Sequence, residues 1–213
     1  MPPHTHRAAI VLCGGASRRM GSPKALLKLG KLTFLEVLIE MFSEICETVV
    51  VVAAPDQTLP IEPGRVQIVH DEQAYQGPLT AIEQGLSGLP DHISYTFVSG
   101  TDTPLLKRDV VRSLFDLANG RDGAIPIEDS QIQPLAAVYR VEFAKSSCRK
   151  LLGENRHRAV DLASSGNFAR IPVESFRKID PHLDSFRNIN TPEEYSELIA
   201  EIESDNSRRF EPG

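Results

Sequence analysis

Leu12-Cys13-Gly14-Gly15-Ala16-Ser17-Arg18-Arg19-Met20-Gly21-Ser22-Pro23-Lys24 is the stretch on which the reading of the fold turns. Immediately before it, and sharing Leu12, Ala8-Ala9-Ile10-Val11-Leu12 is a short apolar run that reads as a buried strand. Beyond it, Thr33-Phe34-Leu35-Glu36 has capping-box spacing, and apolar residues recur through Phe42 and Ile45, which predicts a helix. A glycine-rich, cation-rich loop therefore leaves a first strand and feeds toward a helix. Open α/β sheets bind their ligands there, outside the carboxyl ends of the strands. Gly14 and Gly15 let backbone amides come close to a ligand. Arg18, Arg19 and Lys24 gather positive charge in a chain of net charge -6, which points to an anionic ligand. The competing reading is a solvated basic loop.

The remaining chain reads as alternating strands and helices. Thr48–Ala53 is apolar throughout, as in a parallel strand buried on both faces. Val66–Val69 reads as another such buried strand, Tyr95–Val98 as a fourth strand, and Pro78–Leu86 as a helix with proline in its first turn. Val110–Ala118, Phe143–Leu152 and Pro192–Ile202 are helical by period, while Gly123–Ile125 and Leu135–Tyr139 read as later strands. This rhythm predicts an α/β fold with one Rossmann-like, doubly wound, mostly parallel sheet. We expect a single domain over residues 1–213, with residues 1–7 and about 203–213 as polar, frayed ends.

With 213 residues, the chain can bury a core without disulfides. A pI near 5.5 argues against a nucleic-acid partner, which wants a basic face. Cys13, Cys46 and Cys148 are scattered, with neither disulfide nor zinc spacing, so a reducing compartment is expected. Cys13 reads as a small buried thiol and not as a nucleophile. No apolar run approaches the roughly 18 residues of a membrane span. Arg7 with Ala8–Leu12 only faintly mimics a signal peptide, so we expect a cytoplasmic protein with no membrane partner.

Downstream, Ser99-Gly100-Thr101-Asp102-Thr103-Pro104 follows a strand and arrives at the same sheet edge as the glycine loop. Phosphate-bound Mg²⁺ takes one or two protein carboxylates and keeps several waters, so Asp102 alone would suffice. The alternative is a local turn bond. Asp71 precedes Gly77-Pro78-Leu79 and reads equally as turn, cap or ligand contact, and His70 reads as structural. Thr191-Pro192-Glu193-Glu194 is a helix start whatever the function, whereas the amides of Asn188 and Asn190 are not needed for it. Arg156-His157-Arg158 is either a phosphate contact or a solvated charged turn.

The two familiar phosphate loops do not fit. Adjacent glycines break Gly-x-Gly-x-x-Gly, and Gly21 is followed by Ser22-Pro23-Lys24 where a Walker loop needs Lys-Ser/Thr. Leu12–Lys24 instead resembles the signature of the molybdenum-cofactor nucleotidyltransferase family, within the nucleotide-diphosphosugar transferase-like folds. Asp102-Thr103-Pro104 and Asn188–Glu194 match that family too, while Gly123–Phe186 matches weakly. The resemblance implies that Leu12, Cys13, Gly14, Gly15 and Lys24 hold a nucleotide. It implies further that Asp71 and Gly77 line the nucleoside pocket, that Asp102 holds Mg²⁺, and that Asn188 and Asn190 face the acceptor. The family often carries an Asn after its second strand, where this chain has Ala54.

The implied reaction joins an acceptor phosphate to the α-phosphorus of a nucleoside triphosphate and expels pyrophosphate. A phosphate monoester is already anionic near neutrality, with a second pKa of about 6, and needs no activating base. Catalysis would rest on positioning and charge, with Arg19, Lys24 and Asp102 as the acting residues. Leu12-Cys13-Gly14-Gly15 and Asp102-Thr103-Pro104 resemble the guanylyl-transferring members more than the cytidylyl-transferring ones. The resemblance thus implies GTP and molybdopterin or molybdenum cofactor as substrates, with transient contact to cofactor-delivery proteins. Open alternatives are CTP as donor, another phosphate acceptor, and a catalytically dead nucleotide-binding regulator. A dehydrogenase is disfavoured by the missing dinucleotide fingerprint.

Overall fold

Strand β1 (Arg7–Leu12) lies inside the sheet with a parallel neighbour on each side, a place that its wholly apolar middle suits. The computed structural model describes residues 6–14, 20, 23–62, 64, 66–71 and 76–209, with the backbone alone for 205–209. After a 3-10 turn at Lys24–Leu26 comes a small hairpin, β2 (Lys28–Leu29) and β3 (Leu32–Thr33), which leads into α1 (Phe34–Ser43). Then follow β4 (Thr48–Ala53), β5 (Gln67–His70), α2 (Pro78–Ser87), β6 (Tyr95–Gly100) and α3 (Arg108–Ala118). The second half holds β7 (Gly123–Glu128), β8 (Gln131–Ile132), β9 (Ala136–Arg140), α4 (Val141–Gly153), α5 (Ala159–Ser164) and β10 (Phe168–Pro172). Two 3-10 segments, Val173–Lys178 and Asp184–Phe186, lead to the last helix, α6 (Pro192–Arg209).

The main sheet has the order β10-β7-β9-β6-β1-β4-β5, with β8 paired to β7. β6, β1, β4 and β5 are parallel neighbours, and so are β10 and β7. β9 runs antiparallel between β6 and β7. The sheet is therefore mostly parallel, as expected, with one reversed strand inside it.

Two cores cover its two faces. Ala9, Val11, Val51 and Phe97 pack with α1 and α3 through Leu38, Phe42, Val110 and Leu114. Ala8, Ile10, Val50, Val52 and Val98 pack on the other face with α2, α4 and α5 through Leu79, Ile82, Cys148 and Leu162. Adjacent residues of one strand serve opposite cores, the period-2 rule that makes a doubly wound strand apolar without a break. A third, smaller cluster, with Phe34, Ile189 and Leu198, seats α6 against the hairpin.

The predicted elements all form, with bounds moved by a few residues. The first strand starts at Arg7, inside the segment expected to fray, and α6 continues beyond Glu203 to Arg209. The hairpin, β8, α5 and β10 have no counterpart in the sequence reading. They are short, and their alternation is too weak to stand out. No helix among the described residues is long and apolar enough to cross a membrane.

Candidate functional site

The chain visits β1, then β4 and β5 on one side, and then crosses back to β6 on the other side of β1. The reversal leaves a crevice at the carboxyl ends of β1 and β6, where connections diverge above and below the sheet. Register makes the neighbourhood exact at the residue level: Leu12 pairs with Gly100 on one side and with Val52 on the other. The glycine loop and the Asp102 loop thus leave the sheet from adjacent positions, as their sequences predict.

On the β4 side, Cys13 extends the ladder by one bond, its N–H donating to the Val52 carbonyl at 2.8 Å. Gly14 then passes beside Ala54, where an added Cβ would lie 3.4 Å from the Ala54 nitrogen, about van der Waals contact. The Ala54 N–H donates to Oε1 of Gln57 at 3.1 Å. Cys13 is buried, and desolvation pushes its thiol far above the usual range, which suits a packing role. Gly15, Arg18 and Arg19 lie outside the described residues.

On the β6 side, Gly100 ends the strand and Asp102 folds back over it. A Cβ at Gly100 would sit 2.5 Å from Oδ1 of Asp102, so the glycine makes room for the carboxylate. Asp102 is half-buried, and among the described residues its carboxylate makes no hydrogen bond or ion pair, and the neighbouring Thr103 Oγ1 is buried without a partner. An open carboxylate beside an orphaned hydroxyl is a donor set that suits a hard, oxygen-seeking cation such as Mg²⁺.

The third wall comes from the far end of the chain. Lys24 Nζ donates to Oδ1 of Asn190 at 2.6 Å, across 166 residues of sequence. The Ile189 N–H donates to the Asp102 carbonyl at 2.8 Å. Glu194 Oε2 accepts from the N–H groups of Asn190, 2.6 Å, and Thr191, 3.0 Å, while the Glu194 N–H donates to Thr191 Oγ1. The helix start read from Thr191–Glu194 therefore also holds the loop that meets Lys24. Asn188 is exposed in the same loop. The structure brings Leu12, Gly14, Lys24, Asp102 and Asn190 to one edge.

Asp71 and Gly77 flank the connection from β5 to α2. The Asp71 N–H donates to the Ala53 carbonyl at 2.9 Å, and among the described residues its buried Oδ1 has no partner. His70 Nε2 lies 3.3 Å from the Gln57 carbonyl, a structural contact as expected. Gly77 has φ +106°, and an added Cβ would come within 2.7 Å of the His157 carbonyl. That carbonyl accepts from the Leu79 N–H at 3.2 Å, so the basic run 156–158 is docked on the start of α2. Arg156 is engaged locally: its guanidinium donates to Asp161 at 2.6 Å and lies near Glu154, and the Asp161 bond raises its pKa. Within that run, the charged-turn reading fits Arg156.

Two residues that the sequence reading passed over tie these walls together. Lys107 Nζ donates to Asp180 Oδ1 at 2.6 Å and to Asp184 Oδ2 at 3.1 Å, and Asp180 is fully buried. Ile179-Asp180-Pro181 carries no local signal for this, since an Asp before proline reads as an exposed turn.

The MobA-like NTP transferase domain model matches residues 9–166. A probable molybdenum cofactor guanylyltransferase of Methanosarcina acetivorans is 33% identical over 207 residues, 92% of this chain and 91% of its own length. One of the same name from Mycobacterium avium is 36% identical over 174 residues, covering 79% and 87%. Among solved structures, molybdopterin-guanine dinucleotide biosynthesis protein A of Archaeoglobus fulgidus superposes with a TM-score of 0.76 at 24% identity, over 92% of this chain and 99% of that one. The 2-C-methyl-D-erythritol 4-phosphate cytidylyltransferase of Thermus thermophilus shares the fold, with a TM-score of 0.68 at 14% identity over 91% and 98%. With a glycine loop, an open aspartate and a lysine on one sheet edge, this chain belongs to the MobA-like NTP transferase family and is a nucleotidyltransferase.

Proposed function

We propose that the enzyme transfers GMP from GTP to the terminal phosphate of molybdopterin or molybdenum cofactor, giving the guanine dinucleotide form and pyrophosphate. The observation that supports this reading is the Leu12–Gly100 register, from which the glycine loop and the Asp102 loop start side by side, with Lys24 beside Asn190. Relatives covering most of the chain carry the guanylyltransferase name. The resemblance of Leu12-Cys13-Gly14-Gly15 and Asp102-Thr103-Pro104 to the guanylyl-transferring members supports GTP over CTP as the donor.

The chemistry needs no base from the protein. The acceptor monoester is already ionised near neutral pH, and no pair of nucleophile and base is required of the site. The difficulty is repulsion between two polyanions and the charge that builds on leaving pyrophosphate. In this reading, backbone donors at Gly14 and Gly15 approach the triphosphate, and Lys24 and Arg19 offset its charge. Asp71 and Gly77 line the nucleoside end, with Leu12 and Cys13 at the mouth of the loop. Asn188 and Asn190 stand toward the acceptor. Asp102 would hold Mg²⁺, which when bound supplies positive charge against the phosphates. We place the enzyme in the cytoplasm, where GTP is available.

The deciding experiment compares pyrophosphate release from GTP and from CTP with purified molybdopterin and molybdenum cofactor as acceptors, with and without Mg²⁺. Preference for GTP, dependent on both acceptor and metal, is expected. A preference for CTP, or turnover only with a different phosphate acceptor, overturns the assignment.

A further inference from the structure

The turn from Thr101 to Lys107 carries Asp102 and is fastened at both ends to one distant segment. At its start, the Asp102 carbonyl accepts from the Ile189 N–H at 2.8 Å. At its end, the Lys107 N–H donates to Ser185 Oγ at 3.0 Å, and Lys107 Nζ reaches Asp180 and Asp184. Asp180 uses its second oxygen as well, accepting from the Ser185 N–H at 2.8 Å. Its carboxylate is fully buried, so every partner it has comes from the protein. The aromatic contact between Phe176 and Phe186, 5.4 Å between ring centres, brackets the same segment from below.

An ion pair whose carboxylate is fully buried, even under a lysine that is 37% exposed, is a poor way to gain stability. Desolvation offsets most of the attraction, and an apolar pair of similar shape commonly does as well. What such a pair supplies is a single arrangement, because a shift of the lysine leaves the Asp180 carboxylate buried with one partner fewer. Here it joins the carboxylate loop to the segment that, within six residues of Asp184, reaches Asn190 and through it Lys24. We propose that Lys107 and Asp180 are positioning residues for Asp102: they clamp its turn to the segment 180–190 so that carboxylate, Lys24 and Asn190 keep one spacing. The proposal rests on the reading of Asp102 as the Mg²⁺ carboxylate. Neither Lys107 nor Asp180 touches substrate or metal in this scheme.

The test is calorimetric titration of the full-length protein with GTP, without acceptor, in EDTA and across a Mg²⁺ series. The proteins are wild type, Asp180→Asn, Lys107→Met, Lys107→Arg, Ser185→Ala and Asp102→Ala. For the clamp variants, GTP binding in EDTA stays within about twofold of wild type. The Mg²⁺ concentration giving half of the metal-induced tightening rises on the order of tenfold, the usual scale for partners behind a metal ligand. Lys107→Arg recovers part of that shift. An unchanged Mg²⁺ half-point in both Asp180→Asn and Lys107→Met, with only a lower unfolding midpoint, overturns the clamp and leaves the Asp102 reading standing. If those two do not fold, Ser185→Ala decides, since it removes one fastening and no charge: a raised half-point supports the clamp, an unchanged one overturns it. Wild type showing no Mg²⁺ effect, with Asp102→Ala binding alike, overturns the Asp102 reading and the clamp with it.

Discussion

The hydrogen bond from Lys24 to Asn190 joins two residues assigned to opposite partners of the reaction. A charged donor on a neutral amide is worth roughly 1–3 kcal/mol where water is partly excluded. Lys24→Met should lower kcat/KM for GTP by a comparable amount, read in steady-state kinetics. Asn190→Ala should cost less, and the double variant should fall short of the sum, because removing either partner already breaks the contact. Gly77 makes a second residue-scale case, and here the quantity is stability. A side chain at φ +106° is strained, and its Cβ would meet the His157 backbone at 2.7 Å. Gly77→Ala should therefore destabilise the fold by about 1–3 kcal/mol, measured by denaturant unfolding.

At the scale of elements, helix starts do double duty. α1 opens with a capping box in which Thr33 Oγ1 accepts from the Glu36 N–H at 3.1 Å and Glu36 Oε2 accepts from the Thr33 N–H at 2.6 Å. Thr33 is buried, so loss of its hydroxyl is not made good by water. Thr33→Ala should cost about 1 kcal/mol of unfolding free energy with GTP affinity unchanged, since α1 supports the sheet from behind the site. The box at Thr191 differs because Glu194 also holds the Asn190 N–H. Glu194→Ala should accordingly alter acceptor kinetics as well as stability, and a variant that loses only stability would show that Asn190 is held by other means. Both boxes are legible in sequence, four residues each. That the second one also braces the loop carrying Asn190 is not, because Thr-x-x-Glu spacing says nothing of what stands in front of the helix.

For the whole molecule, the antiparallel strand β9 has to be held between two parallel groups. Arg140 at its end donates to Asp122 Oδ1 at 2.6 Å, and Asp122 Oδ2 accepts from the Asn167 N–H at 2.9 Å, so one carboxylate joins the ends of β7, β9 and β10. The Arg140 bond, then the Asn167 amide, holds the Asp122 pKa below its ordinary 3.8. For Asp180, burial alone would raise the pKa, but the bonds from Lys107 and Ser185 outweigh it and the net shift is again downward. A depressed carboxylate pKa contributes stability that is present above the unfolded value and lost as pH falls through the folded one. For Lys107, desolvation alone would lower the pKa, but the bonds to Asp180 and Asp184 carry it above its ordinary 10.5. That contribution is full below 10.5 and is lost only as pH rises through the folded value. Stability should be flat through neutrality and fall at both extremes. In Asp122→Asn the loss below pH 3.8 should be shallower than in wild type, as read by urea unfolding across pH.

Much of the first half of the molecule is legible because β1, β4 and the middle of β6 are buried on both faces, and α1 and α2 are amphipathic with their own start signals; β5, at the sheet edge, is largely exposed. Alternation fails at Gly123–Phe186, where β9 takes its partners from β6 and β7 and short strands such as β8 carry little pattern of their own. The buried strands, the capped helices, and a glycine loop and an Asp-x-Pro loop at strand ends can be read from the order of residues alone. Only the tertiary structure decided that Leu12 stands beside Gly100, that Lys24 meets Asn190, and that Asp180 is sealed under Lys107. Such contacts join residues 73 to 166 positions apart. Closing loops of that length carries an entropy cost that no local pattern records, and it is met only when both cores form together.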